Sequence, residues 1–313
     1  MKLNVPKLDQ FGFPIPPGFG ESGVEETTPR DDTTMRRIRF VLRMALLAAL
    51  ATALWIHFDA THKARDMVGD YFGNEAKKLY LNNRDLPRAL AAADRAVGWS
   101  PDNIDLLMVR CKLRLFNKDY RGSLEDVERA VAVDSLDLDA QKTRQHLYYV
   151  LAMHREGAAA AGELLARGLG DRAENLNSRA YSRALGGFDL EAALVDIEEA
   201  IKLDPQPNDA FLDTRGYVRF KLGRHQEALD DIEQAIKLIQ AEKRELEQLV
   251  EGRDLLGQFA REFRAQIGRL EEQMAVMVRH RGEVRQALGE KDEAEQDFRL
   301  AERLGFNPAE GVY

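Results

Sequence analysis

One segment returns along this chain in near-constant register, and that return limits what the chain can become. Leu86–Pro101, Tyr120–Ser135, Leu190–Pro205, His225–Leu238 and Lys291–Leu304 share one order of small and apolar positions. An early small residue falls at Ala89, Ser123, Ala193, Ala228 and Ala294, and a second at Ala96, Ala130, Ala200, Ala235 and Ala301. The steps between the early residues are 34, 70, 35 and 66, so the unit is 34 or 35 residues long. The 70-residue step holds one diverged copy around Gly157. Self-similarity at this period belongs to stacked supersecondary units, none of which buries its apolar face alone. Apolar residues within each copy step by three and four, and β-branched clusters are nearly absent, so the units are helical.

Two stretches carry a family resemblance. Leu212–Leu229 runs through Gly216, Gly223 and Ala228, and Arg281–Ala294 runs through Gly282, Gly289 and Ala294. This pattern resembles the tetratricopeptide repeat, whose unit is two antiparallel helices, and the resemblance covers roughly residues 70–308 apart from one insertion. It implies an all-α, right-handed superhelical solenoid of about six helix pairs, one degenerate and one with extended helices. It also implies that Gly216 and Gly282 let paired helices approach closely and that Gly223 and Gly289 make the turns between them. The copy at 138–173 departs from the pattern, with Gly157-Ala-Ala-Ala-Ala-Gly162 in place of the usual turn, and an irregular hairpin is expected there.

The insertion is Lys243–Met274. Apolar residues continue through Ile232, Ala235, Ile239, Leu246 and Leu249, then through Leu256, Phe259, Phe263, Ile267, Leu270, Met274 and Met277. Such spacing describes a seam between two helices, with the reversal at Glu251–Asp254. Two overlong helices are expected, serving as a contact arm or as a cap for the last repeat. The same seam is compatible with homo-oligomer pairing around 243–274.

Upstream the chain changes character twice. Residues 1–34 carry Pro6, Pro14, Pro16, Pro17 and Pro29 with Gly12, Gly18, Gly20 and Gly23, a density of breakers that predicts a disordered tail. The apolar stretch Phe11–Phe19 within it is either plain linker or a short extended motif for a partner's groove. Residues 35–60 read as a transmembrane anchor. The uncharged run Met44–Phe58 covers about 22 Å as a helix. Ile38–Leu42 extends it toward bilayer thickness if Arg39 and Arg43 snorkel. A cleaved signal peptide has a shorter leader than the one here, and a buried soluble helix is apolar on one stripe rather than all round. Arg36, Arg37, Arg39 and Arg43 precede the run, whereas Asp59, Lys63, Arg65 and Asp66 cancel after it. The positive-inside rule then predicts a cytoplasmic N-terminus and an exported, for instance periplasmic, repeat domain. The domain reading is thus a tail at 1–34, an anchor at 35–60 that spans with 38–58, and repeats at 61–242. A hairpin extension follows at 243–274, and a terminal repeat with its tail at 275–313.

Charge and chemistry narrow the function. The chain holds 45 basic and 53 acidic side chains, of which 9 and 8 lie in residues 1–66, so the body is acidic and nucleic acid is not expected as a partner. No phosphate-cradling loop, His-Glu-x-x-His or Gly-x-Ser-x-Gly occurs, and the six histidines are scattered and read as solvated. No catalytic residue, cofactor or metal is expected, and the chain does not read as an enzyme. The single Cys111 fills a small-residue slot and reads as packing. The acidic pairs Glu198-Glu199 and Asp230-Asp231 fall on second helices and read as a solvated face.

By the resemblance, first helices line a concave groove for proteins or peptides. The inward candidates are Asn74, Lys78, Asp105, Met108, Lys112, Asn175, Ser178, Ser182, Asp213, Tyr217 and Phe220. The family's clamp for terminal carboxylates needs a Lys/Asn/Arg set that cannot be assembled here, since Lys78 and Lys112 are isolated. The expected function is a membrane-anchored, non-catalytic scaffold. The alternatives are a cytosol-facing receptor or assembly factor of a membrane complex, and an enzyme or sensor with accessory repeats.

Overall fold

The computed structural model describes residues 32–204, 206, 208–252 and 258–306. The disordered-tail expectation for 1–34 and the reversal expected at Glu251–Asp254 therefore fall partly outside the described residues. Twelve helices and no strand occur among the described residues. They are α1 (Asp32–Asn83), α2 (Leu86–Trp99), α3 (Ile104–Phe116), α4 (Tyr120–Val133), α5 (Leu138–Val150) and α6 (His154–Arg167). Then come α7 (Arg172–Gly186), α8 (Leu190–Leu203), α9 (Asp209–Lys221), α10 (His225–Gly252), α11 (Gln258–Leu288) and α12 (Lys291–Arg303). The chain divides into two compact units, one ending at Lys63 and one beginning at Ala64.

In the first unit, helix α1 carries the apolar run. An 18-residue window here reaches a mean hydropathy of 1.8 with none of it buried, so length and composition suffice to cross a membrane. Thr52 donates to the Ala48 carbonyl and Lys63 pairs with Asp59, both within the helix.

The second unit is a solenoid of six helix pairs: α1 (from Ala64) with α2, α3 with α4, α5 with α6, α7 with α8, α9 with α10, and α11 with α12. Local chemistry punctuates it. Asp85, Asn103, Asp119, Asp137, Asp171 and Asn208 each cap a helix by accepting from a backbone N–H three residues on. Each such cap is worth about 1 kcal/mol. The hairpin turns take left-handed backbone at Arg84, Lys118, Ala152, Gly187, Asp189, Gly223 and Gly289. The degenerate copy makes its turn at Ala152, which adopts the conformation that glycine adopts elsewhere, but its α5 and α6 pack less closely than α3 with α4, α7 with α8, α9 with α10 or α11 with α12, the irregularity expected of this copy.

The recurring small residues sit where the helices meet. Ala89, Ser123, Ala193, Ala228 and Ala294 are buried, as are Ala96, Ala130, Ala200, Ala235 and Ala301. A Cβ on Gly216 would lie 2.7 Å from Ile232 Cγ1 and 3.0 Å from the Ala228 carbonyl; one on Gly282 would lie 2.5 Å from the Phe298 ring. Those glycines set the helix separation, as the resemblance implied. At the insertion, α10 and α11 are overlong, and Leu246, Leu270, Met274 and Met277 join the last core cluster. Lys243 bonds Glu271 across them at 2.6 Å. This part of the seam packs α10 against α11.

Candidate functional site

Four first helices, α5, α7, α9 and α11, surround a cavity of about 340 Å³ on the inner face of the solenoid. Lys142, Gln145, His146 and Tyr149 reach it from α5, and Asn177, Ser178, Tyr181 and Ser182 from α7. Helix α9 adds Ala210, Asp213 and Thr214, and α11 adds Gln273, Val276 and Met277. These residues converge because successive first helices present the same face at each step of the repeat. Gly157 on α6 makes room, since a Cβ there would meet Ser182 Oγ at 3.1 Å.

The wall of this cavity has an uneven polar balance. Asp213 is compensated: its two carboxylate oxygens lie 3.0 and 3.1 Å from His280 Nδ1, and the His280 ring stacks on Tyr217 at 4.1 Å between centroids. By contrast, Gln145 Nε2 and Asn177 Oδ1 are buried with no hydrogen-bond partner among the described residues, whereas the Tyr181 hydroxyl interacts with that of Tyr149. Burying such groups unpaired costs about 1–3 kcal/mol each. Burial raises the Tyr181 phenol well above its ordinary range and pushes Tyr149 up to about 12, so both stay protonated donors. Partial burial lowers the pKa of His146 at the rim, which keeps that ring neutral.

The expected groove residues divide. Ser178, Ser182 and Asp213 line the cavity. Asn74, Lys78, Asp105 and Lys112 are exposed on earlier first helices, with Lys112 bonded to Asp139 at 2.8 Å. Three positions need correction as accessible groove residues. Met108 packs in the core around Leu107 and Cys111. Asn175 is buried and donates its amide to the Leu169 carbonyl, which fixes the loop before α7. Tyr217 is 6% exposed because His280 covers its ring, and Phe220 is half-buried beside it. His280 itself, read as solvated, is 4% exposed and serves as a core hydrogen-bond partner.

A second correction concerns the acidic face. Asp231 is buried, and it accepts from Arg215 Nε at 2.9 Å, Arg215 Nη2 at 2.6 Å and Arg219 Nη1 at 2.7 Å. The arrangement recurs with Arg110 and Arg114 on Asp126, Arg179 and Arg183 on Asp196, and Arg281 and Arg285 on Asp297. Two arginines one turn apart on the first helix thus grip one buried carboxylate on the second. The sequence signal is visible once sought: each first arginine precedes its aspartate by 16 or 17 residues. These clamps hold hairpins together and are not a reactive site. Cys111 is free and buried, and its thiol is pushed up to about 12, chiefly by burial. No cluster of metal-ligating side chains occurs among the described residues.

Comparison with known proteins agrees with the geometry. The tetratricopeptide repeat family matches residues 211–242. A tetratricopeptide repeat protein from Parabacteroides merdae is 16% identical, with a TM-score of 0.52, covering 78% of this chain and 95% of that one. PilW, a type IV pilus biogenesis factor, is 14% identical with a TM-score of 0.50, covering 77% and 96%. No curated protein matches.

Proposed function

We propose that this chain is a tetratricopeptide repeat scaffold, anchored in a membrane by residues 38–58, whose concave first-helix surface holds a segment of another protein. One observation carries this reading: the inner cavity is walled by four successive first helices, each of which contributes polar side chains to it. The anchor rests on α1, whose apolar window is wholly exposed. The four arginines before it favour a cytoplasmic N-terminus and an exported repeat domain.

Two experiments test it. Ser178→Arg places a long cation in the cavity mouth. Recovery of co-purifying partners should fall several-fold while far-UV circular dichroism stays unchanged, and unaltered recovery refutes the groove. Protease treatment of cells with the outer envelope opened and the inner membrane sealed should digest a C-terminal epitope. An epitope that survives until detergent is added reverses the orientation and favours a cytosol-facing receptor.

A further inference from the structure

Among the described residues the arginine–aspartate clamp closes four hairpins; α1–α2 at the start of the array and α5–α6 within it have none. Arg144 stands in the first-arginine slot of α5, but 16 residues on the sequence has Ala160, where other copies have Asp126, Asp231 and Asp297. In the four clamps the Nε of the first arginine donates to the aspartate at 2.7 to 3.2 Å. Arg144 Nε is buried and has no such acceptor. Its Nη2 turns to Gln141 at 2.9 Å and to Glu163 on α6 at 3.1 Å. The Glu163 side chain is 54% exposed, so this bridge is of the weak, screened kind. Tyr148 fills the slot of the second arginine and donates to Glu128 on α4 instead.

The apolar packing breaks at the same place. Ala140 and Leu147 of α5 belong to the core formed with α2, α3 and α4, whereas Leu165 of α6 packs on the core of α7, α8 and α9. Among the described residues none is common to these two cores, while Ile201 and Phe220 join the second of them to the last core of the array. Helix α6 buries Gly157, Ala158, Ala160, Ala161 and Leu164, four of which carry almost no apolar surface, and it packs more closely on α7 than on α5. Space lies on both sides of the hairpin. The inner cavity of about 340 Å³ borders α5, and a second of about 400 Å³ lies between α4 and the α5–α6 turn, against Leu124, Leu151 and Met153. A displacement of α5 therefore breaks few close contacts.

We propose that the α5–α6 hairpin is a hinge within the solenoid. It opens separately between the clamped hairpins α3–α4 and α7–α8, because Ala160 withholds the carboxylate that would tie α5 to α6. Since α5 is one wall of the inner cavity, its movement sets the width of that cavity and regulates the entry of a partner segment. The hinge stands on packing alone, and its control of entry rests on the scaffold reading.

The test is amide hydrogen exchange on the full-length protein in detergent micelles. Protection in a solenoid falls toward its ends, so the hinge predicts an interior minimum, with α5 and α6 exchanging about tenfold or more faster than α4 and α8. Ala160→Asp supplies the missing carboxylate and should slow exchange in α5 and α6 about tenfold, and Arg144→Met in the same chain should cancel that gain. A buried carboxylate can also disrupt a fold, so Asp196→Ala gives the converse: α7 and α8 should fall to the protection of the parent α5 and α6. Uniform protection from α3 to α8 in the parent overturns the hinge. No gain from Ala160→Asp together with no loss from Asp196→Ala overturns the missing clamp as its cause. A photo-cross-linking amino acid at Ser178 then reads entry in cells, and Ala160→Asp should lower the yield of partner adducts several-fold. Unchanged adducts beside slowed exchange overturn the control of entry and keep the hinge. Adducts absent from the parent chain as well overturn the scaffold reading and leave the hinge in place.

Discussion

Replacing Asp231 with Ala tests the energetic logic of the solenoid. The Asp231 side chain is 5% exposed and accepts three charge-assisted hydrogen bonds from Arg215 and Arg219. Its loss strands two guanidiniums, each about one-fifth exposed, between α9 and α10. Removing one partner of a buried pair costs about 3–5 kcal/mol. Arg219 retains Glu227 at 3.6 Å and both heads can partly rehydrate, so the lower end, about 3 kcal/mol, is expected. Asp94 supplies the internal control: it pairs with Arg110 at 3.1 Å but is 58% exposed on its side chain, so Asp94→Ala should cost less than about 1 kcal/mol. Urea unfolding followed by circular dichroism should show a lower midpoint for Asp231→Ala at unchanged slope and almost no shift for Asp94→Ala. Hydrogen exchange should localise the loss to α9 and α10, because solenoid units couple chiefly to their neighbours. The double change Arg215→Met with Asp231→Leu should be milder than Asp231→Ala. Equal, small effects at Asp231 and Asp94 would refute the reasoning, because the clamps would then behave as screened surface pairs.

Other outcomes follow from the same geometry. Gly216→Ala and Gly282→Ala should each cost about 1–3 kcal/mol by forcing paired helices apart, whereas Gly98→Ala, with nothing within 4 Å, should be neutral or stabilising by up to about 1 kcal/mol in thermal melts. Tyr217→Ala should lower stability by about 3 kcal/mol through loss of the ring stacked on His280, so it reads folding rather than partner binding. Cys111 should resist alkylation at pH 8 and react only on unfolding, since its thiol is pushed up to about 12. Tyr148 and Tyr149 are likewise pushed up to about 12 from 10, so the folded state holds more protons than the unfolded one. Stability should therefore be intact below pH 10 and fall between pH 10 and 12, measurable as a dropping melting temperature.

Much of the fold was legible in the sequence because its signals act locally. Ala89, Ala96 and their counterparts recur where backbones touch, and a backbone contact tolerates only small side chains. Gly223 and Gly289 mark turns for the same kind of reason, although Lys118 and Ala152 take the left-handed turn without glycine, which no turn rule flags. The clamps were not legible because Asp126, Asp196, Asp231 and Asp297 look like solvated charge until the arginines one helix earlier are set beside them. Asn175 and His280 were misread because polar residues gave no hint of partners six and 67 positions away. The cavity was half legible: repeat register pointed to Ser178, Ser182 and Asp213, but Gln145 and Met277 come from a diverged copy and from the far side of the insertion.

The most direct measurement places a photo-cross-linking amino acid at Ser178 in the cavity wall, and separately at Val195, which is 64% exposed on second helix α8. Irradiation of intact cells should yield a discrete adduct with another protein from Ser178 and none from Val195. Adducts from Val195 alone, or from neither position, would contradict the claim that the inner face of the solenoid holds a partner.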